Sequence, residues 1–302
     1  MKRRTWLGLA LAAAVLAGAG VYQALPSDPA TGTARPIRLR LGETVGTFMT
    51  ANELKEGPGG PRAYTIAVDR HRDDSTLFFT DVWVAVRFED VAASFDLPPG
   101  RILMVGQSAG VVADFDTTLY DQPLPFPEAD RRALALTDQL LKAGWQAETL
   151  FRPGDEMDSN STNNRKVYAT LTSVSGNRLQ LSLTDLSRSP RFDPNLPGSA
   201  PVTPSDPTPR FLLRVAVYAP DALRDRLSEL AAARRFALRG NGTDTPGLRL
   251  WMDAPDWTPE AAGMRQVDVP NPQWAPDRPA SGRQTFRRWQ MPDGTTEPTI
   301  RW

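Results

Sequence analysis

The chain has 302 residues, of which 40% are hydrophobic and 23% charged, with 35 basic and 35 acidic side chains in balance. That length allows one large domain or two ordinary ones, with ample material for a core. The neutral balance gives no electrostatic pull towards nucleic acid, and the absence of cysteine excludes disulfides, thiol nucleophiles, thiolate metal sites and lipid attachment at a cysteine.

Residues 1–25 read as an export signal. Met1-Lys2-Arg3-Arg4 is a basic start, and Trp6 to Tyr22 is a run of 17 residues without charge. Such a run lies between a long signal-peptide core and a short membrane span. Ala17-Gly18-Ala19 offers a small-residue cleavage site, and retention would instead leave a single N-terminal hydrophobic helix as an anchor. In both cases the basic end stays in the cytoplasm. The chain is therefore expected at the inner membrane of a bacterial envelope with its bulk in the periplasm, or released there by cleavage. Without residues 1–25 the balance is 32 basic to 35 acidic side chains.

Residues 26–36, "PSDPATGTARP", form a spacer. A β-rich half follows over 37–151. Within it "AYTIAVD" (63–69) alternates, and "DVWVAVRF" (81–88) puts Val82, Val84, Val86 and Phe88 on one face. "PEADRRALALTDQLLKAGW" (127–145) has helical spacing at Ala129, Ala133, Leu136, Leu140 and Ala143, with Gly144 as the residue just past its end. Residues 152–165 are a polar linker. A second half, 166–252, opens with a hairpin turning at Gly176-Asn177 and puts Leu179, Leu181 and Leu183 on one face. It continues with a strand over 210–219 and a helix over 221–238 whose buried stripe is Leu223, Leu227, Leu230 and Ala231. "LRLWMD" (248–253) is expected to return as a last strand. Residues 253–302 are a Pro- and Trp-rich extension ending in a hairpin closed by Pro292-Asp293-Gly294. The pattern predicts an α+β fold: two antiparallel sheets, or one larger sheet, with one amphipathic helix packed on each half.

Gly106-Gln107-Ser108-Ala109-Gly110 fits G-x-S-x-G, the nucleophile elbow of serine hydrolases, and follows an apolar run. An elbow needs a helix directly after the serine. Here Val111, Ala113, Phe115, Thr117 and Leu119 alternate with Val112, Asp114, Asp116, Thr118 and Tyr120, a period of two. The pentapeptide therefore reads as a turn between two strands. The only histidine, His71, precedes Ser108, so a triad would need the order Asp69, His71, Ser108, and a Ser-Lys pair would need Lys55, Lys142 or Lys166. A hydrolase built on Ser108 is the alternative reading.

"DRHRDD" (69–74) could set Asp69, His71 and Asp73 beside a metal, but its alternating arginines favour a self-neutralising loop. "DSNSTNN" (158–164) carries Asn163 and Ala169 where a calcium loop needs glycine and glutamate. Asp114 and Asp116 share a strand face that reads as solvated. No catalytic residue, metal or cofactor is assigned. The most distinctive surface set is Arg283, Phe286, Arg287, Arg288, Trp289, Arg301 and Trp302, since arginine with tryptophan is typical of interface hot spots. Arg287, Arg288, Trp289 and Trp302 are the expected binding residues. The partner would be an envelope protein or polymer, as for an immunity or inhibitor protein, and not nucleic acid.

Overall fold

The structure is a computed structural model that describes residues 34–56, 65–66, 76–79, 83–150, 165–185, 210–238, 247–271, 274 and 284–297. It is a mixed α+β fold with mostly antiparallel strands and few helices. In chain order the strands are β1 (Arg35–Leu39), β2 (Lys55–Glu56), β3 (Thr65–Ile66), β4 (Thr76–Phe79), β5 (Val84–Phe88), β6 (Phe95–Asp96), β7 (Gly100–Ser108), β8 (Val111–Pro125) and β9 (Gln146–Leu150). Then follow β10 (Arg165–Thr172), β11 (Arg178–Asp185), β12 (Arg210–Tyr218), β13 (Arg265–Pro270) and β14 (Thr285–Gln290). The helices are α1 (Val45–Ala51), α2 (Phe126–Lys142), α3 (Asp221–Leu238) and α4 (Leu248–Asp253).

Ten strands form one sheet in the order β1-β5-β7-β8-β12-β11-β10-β9, with β4 also paired to β7 and β6 to β5. The seam is β8 against β12, which register as Phe115 to Val217 and Thr117 to Val215. Strands from both halves of the chain thus share a single ladder, the larger-sheet alternative. One pair of this sheet is parallel, β1 with β5, and the separate two-stranded pair of β2 with β3 is parallel too. The expected alternation holds where it is described: Val84, Val86 and Phe88 are buried, as are Leu179, Leu181 and Leu183. Val82 lies outside the described residues.

The main core gathers on one sheet face, from Ile37 and Phe48 through Leu103, Phe115, Leu181 and Val215. Helix α2 covers it with Ala129, Ala133, Leu136 and Leu140, packing on β8, β11 and β12. Its end matches the expectation: Gly144 takes φ +100, and Trp145 N–H bonds the Leu140 carbonyl. Helix α3 packs on the β7–β8 end of the sheet and buries Leu227 and Ala231 against Ala109, Ala113 and Trp251, a second, smaller cluster.

Two expectations are corrected. Residues 248–253 are a helix and not a strand. Their apolar positions Leu248 and Trp251 are three apart, which suits one turn of helix, and both are buried. In β8 the alternation shifts at a bulge, where Gly106 faces Asp114 but Gln107 faces Val112. Val112 and Phe115 therefore enter the main core, while Ala113 joins the cluster under α3.

Candidate functional site

Ser108 is the last residue of β7, and β8 begins at Val111, so the G-x-S-x-G pentapeptide is a hairpin turn with a strand after it. Ala109 (φ 50) and Gly110 (φ 75) both lie in the left-handed region, as a two-residue hairpin requires. The buried Gln107 side chain accepts from Gly110 N–H at 2.9 Å and closes the turn. Backbone bonds then tie it down: Val45 N–H to the Gly110 carbonyl (2.8 Å) and Val112 N–H to the Glu43 carbonyl (2.9 Å). Both glycines have a packing reason. A Cβ on Gly110 would stand 2.5 Å from the Trp251 Cβ, and one on Gly106 would collide with the Asp114 carboxyl. These contacts give each of the two glycines a packing reason of its own.

His71, Asp69 and Asp73 lie outside the described residues, as does the 158–164 stretch. Lys55 and Lys142 are exposed and Lys166 is half-buried. Among the described residues, no group of three His, Cys, Asp or Glu side chains could hold a metal ion.

Beyond the turn the sheet carries a polar face. Asp116 is not solvated as expected: its carboxylate takes Arg214 in a two-pronged ion pair, at 2.6 Å from Nη2 and 3.2 Å from Nε, with side-chain exposures of 19% and 10%. In neighbouring registers lie Thr118 and Ser182, on either side of Arg214, and all three are buried. Asp114, one row along and opposite Tyr218 and Gly106, is pushed up to about 6. Burial is the main cause and the Asp116 charge adds to it, while Arg224 of α3 pulls the other way. The alternating pattern misled here because a polar face covered by protein has the same period as one facing water.

A shallow groove of about 490 Å³ lies above the turn, between α1 and α4. It is lined by Thr44, Thr47, Thr50, Gly110, Trp251 and Met252 among others, and holds no charged side chain. Behind Trp251 sits Arg234, a buried arginine absent from the expected stripe of α3. Its guanidinium lies 4.2 Å from the Trp251 ring centre and 5.2 Å from that of Trp257, and Nη2 donates to the Leu250 carbonyl at 2.8 Å. Its Nη1 is buried without a hydrogen-bond partner. Burial pulls the Arg234 pKa down.

Three of the four expected binding residues, Arg287, Arg288 and Trp289, fall on a separate two-stranded sheet of β13 and β14. Asp268 faces Arg287, Gln266 faces Trp289, Val267 faces Arg288 and Val269 faces Phe286. No side chain of either strand is buried: Arg287 is exposed, and Arg288 and Trp289 are half-buried. The Arg288 guanidinium lies 5.0 Å from the Phe286 ring centre. The closing turn is where the sequence puts it. Met291 N–H bonds the Thr295 carbonyl at 2.7 Å, Gly294 takes φ +88, and Asp293 accepts from Thr295 N–H. Glu297 N–H then bonds the Trp289 carbonyl, adding a short third stretch. Arg283, Arg301 and Trp302 lie outside the described residues.

No protein-family model matches the chain, and neither a curated protein nor a solved structure is significantly similar to it.

Proposed function

We propose that this chain is an exported protein of the bacterial cell envelope that works by binding a partner through its C-terminal Arg/Trp segment, without catalysis. Residues 1–25 would hold it in the inner membrane as a hydrophobic helix or be cleaved as a signal, and residues 26–36 would space the folded part from the membrane. No helix among the described residues is long and apolar enough to cross a membrane. The partner is an envelope protein or polymer, and neutralisation of a toxin in the periplasm is the specific version of this role.

One observation carries the reading. The antiparallel pair of β13 and β14 leaves Arg287 exposed and Arg288 and Trp289 half-exposed while burying no side chain of its own strands. An isolated two-stranded hairpin is marginal in water, so such a surface has much to gain from a partner. Guanidinium groups beside an indole suit stacking and anion contacts, the chemistry enriched at hot spots.

The test is removal of residues 283–302 from the full chain. The truncated protein should keep its cooperative thermal transition and lose the envelope partner that co-purifies with the detergent-extracted full chain. Unfolding on truncation would make the segment a piece of the core and remove the basis for the proposal.

A further inference from the structure

Arg287 and Arg288 adjoin in sequence and lie on opposite faces of β14. The register of β13 with β14 sorts the side chains, because residues directly opposite one another in an antiparallel pair share a face. The first face holds Arg265 with Gln290, Val267 with Arg288 and Val269 with Phe286. The second holds Gln266 with Trp289, Asp268 with Arg287 and Pro270 with Thr285. Past the closing turn the chain returns beside β14. Thr296 bridges Gln290, and Glu297 N–H bonds the Trp289 carbonyl at 2.8 Å. Thr296 thus joins the first face and Glu297 the second, which sets Trp289 between Gln266 and Glu297.

The first face is occupied with itself. Nε and Nη2 of Arg265 donate to Gln290 Oε1 at 2.9 and 2.7 Å, and Gln290 Nε2 donates to Thr296 Oγ1 at 3.3 Å. The Arg288 guanidinium lies 5.0 Å from the Phe286 ring centre, and Val267, Val269, Phe286 and Arg288 are all half-buried. The second face is open. Gln266, Asp268, Pro270, Thr285 and Arg287 are exposed, and Trp289 is half-buried. Among the described residues, the side chains of Gln266, Asp268 and Arg287 have no hydrogen-bond or ion-pair partner, although Asp268 and Arg287 stand directly opposite. One indole therefore sits among polar groups that are committed to nothing else.

We infer that this second face is a carbohydrate-binding platform, on which a pyranose unit of an uncharged envelope polysaccharide stacks on Trp289 and bonds Gln266, Asp268, Arg287 and Glu297. This rests on the C-terminal segment being the binding surface, and it names the ligand of that surface. A pyranose ring offers an apolar C–H face and a rim of hydroxyls, each both donor and acceptor. The indole supplies the matching apolar plane. Around it Asp268 and Glu297 accept, Arg287 donates and Gln266 does both, and hydrogen bonds to the charged members are the stronger kind. Charge disfavours a polyanion, since the face carries Asp268 and Glu297 against Arg287 alone. A lipid surface would call for an excess of Lys and Arg with several aromatic or leucine side chains, and this face has one arginine and one tryptophan. A protein hot spot would need water excluded around the ring, but both cross-strand neighbours of Trp289 are polar. Covering the two carboxylates with protein would cost their hydration.

The test presents the detergent-extracted full chain to immobilised uncharged oligosaccharides of hexose and N-acetylhexosamine units, with uronic-acid oligosaccharides as the acidic comparison. Uncharged members should be retained. Trp289→Ala and Gln266→Ala/Arg287→Ala should each weaken retention about tenfold or more, while Trp289→Phe keeps part of it. Arg265→Ala, which removes a guanidinium from the first face, should leave it unchanged. All four variants should keep the thermal transition of the parent, so that a lost signal reports the face and not the fold. Three results overturn the inference: no uncharged oligosaccharide is retained, the acidic members are preferred, or Arg265→Ala costs as much as the change at Gln266 and Arg287. A protein partner released on removal of residues 283–302, with no sugar retained, would end the inference and leave the wider binding role in place. A sugar held equally by the truncated chain would end both.

Discussion

Two hairpins of this chain are built alike and placed differently. The β7–β8 turn and the turn that follows β14 each rely on a glycine in the left-handed region, Gly110 at φ 75 and Gly294 at φ 88. Gly110 is pressed against Trp251, whereas a Cβ on Gly294 would meet nothing within 4 Å. The strands follow suit. Most of β7 and β8 is buried in the ten-stranded sheet, and no side chain of β13 or β14 is. One turn is enclosed by α1, α3 and α4; the other lies on strands that bury no side chain. Both turns need a left-handed glycine, and what differs is the packing around it.

The sharpest way to break this contrast is to add the same methyl group to each turn. Gly110→Ala should cost about 3 kcal/mol, from overpacking against Trp251 together with the left-handed backbone. Gly294→Ala should cost about 1 kcal/mol, confined to the hairpin, and leave the global midpoint in urea unchanged. Comparable losses at both positions would erase the distinction.

Next in size is the ion pair on the polar face. Arg214→Met leaves Asp116 buried without its cation and should destabilise by about 3 kcal/mol in denaturant titrations. A loss below 1 kcal/mol would mean that water reaches this face freely. Asp114 gives a smaller, pH-dependent effect. Its folded pKa, about 6, lies above the ordinary 3.8. The folded state therefore holds the proton more tightly, and that stabilisation is complete below about pH 4 and is lost as pH rises through 6. Asp114→Asn should thus raise stability at pH 7 by about 2 kcal/mol and flatten the profile between pH 4 and 7. A variant less stable than the parent at pH 7 would assign the carboxylate a partner that its geometry lacks.

The smallest effect belongs to the pair of β13 and β14. Arg287→Ala/Arg288→Ala/Trp289→Ala should shift the global stability by less than about 0.5 kcal/mol, as surface changes away from the core do.

The amphipathic helices α2 and α3 were legible because their apolar residues recur at helical spacing, and the closing turn at Pro292-Asp293-Gly294 because its chemistry is local. Helix α4 was not: six residues are too few for a period to declare itself, and only Leu248 and Trp251, three apart, hinted at it. The seam of β8 with β12 joins residues about a hundred positions apart, and no local pattern encodes such a pairing. The Asp116–Arg214 pair is not legible in the sequence, because alternation marks two faces but does not say what covers the second. Arg234 escaped for a related reason, since its burial depends on Trp251 and Trp257 arriving from beyond α3.

The most direct test of the account is the retention of envelope partners by the detergent-extracted full chain carrying Arg287→Ala/Arg288→Ala/Trp289→Ala, quantified against the unchanged protein. The account predicts that a specific partner is lost while the thermal transition stays in place. Undiminished recovery of the same partner would contradict it.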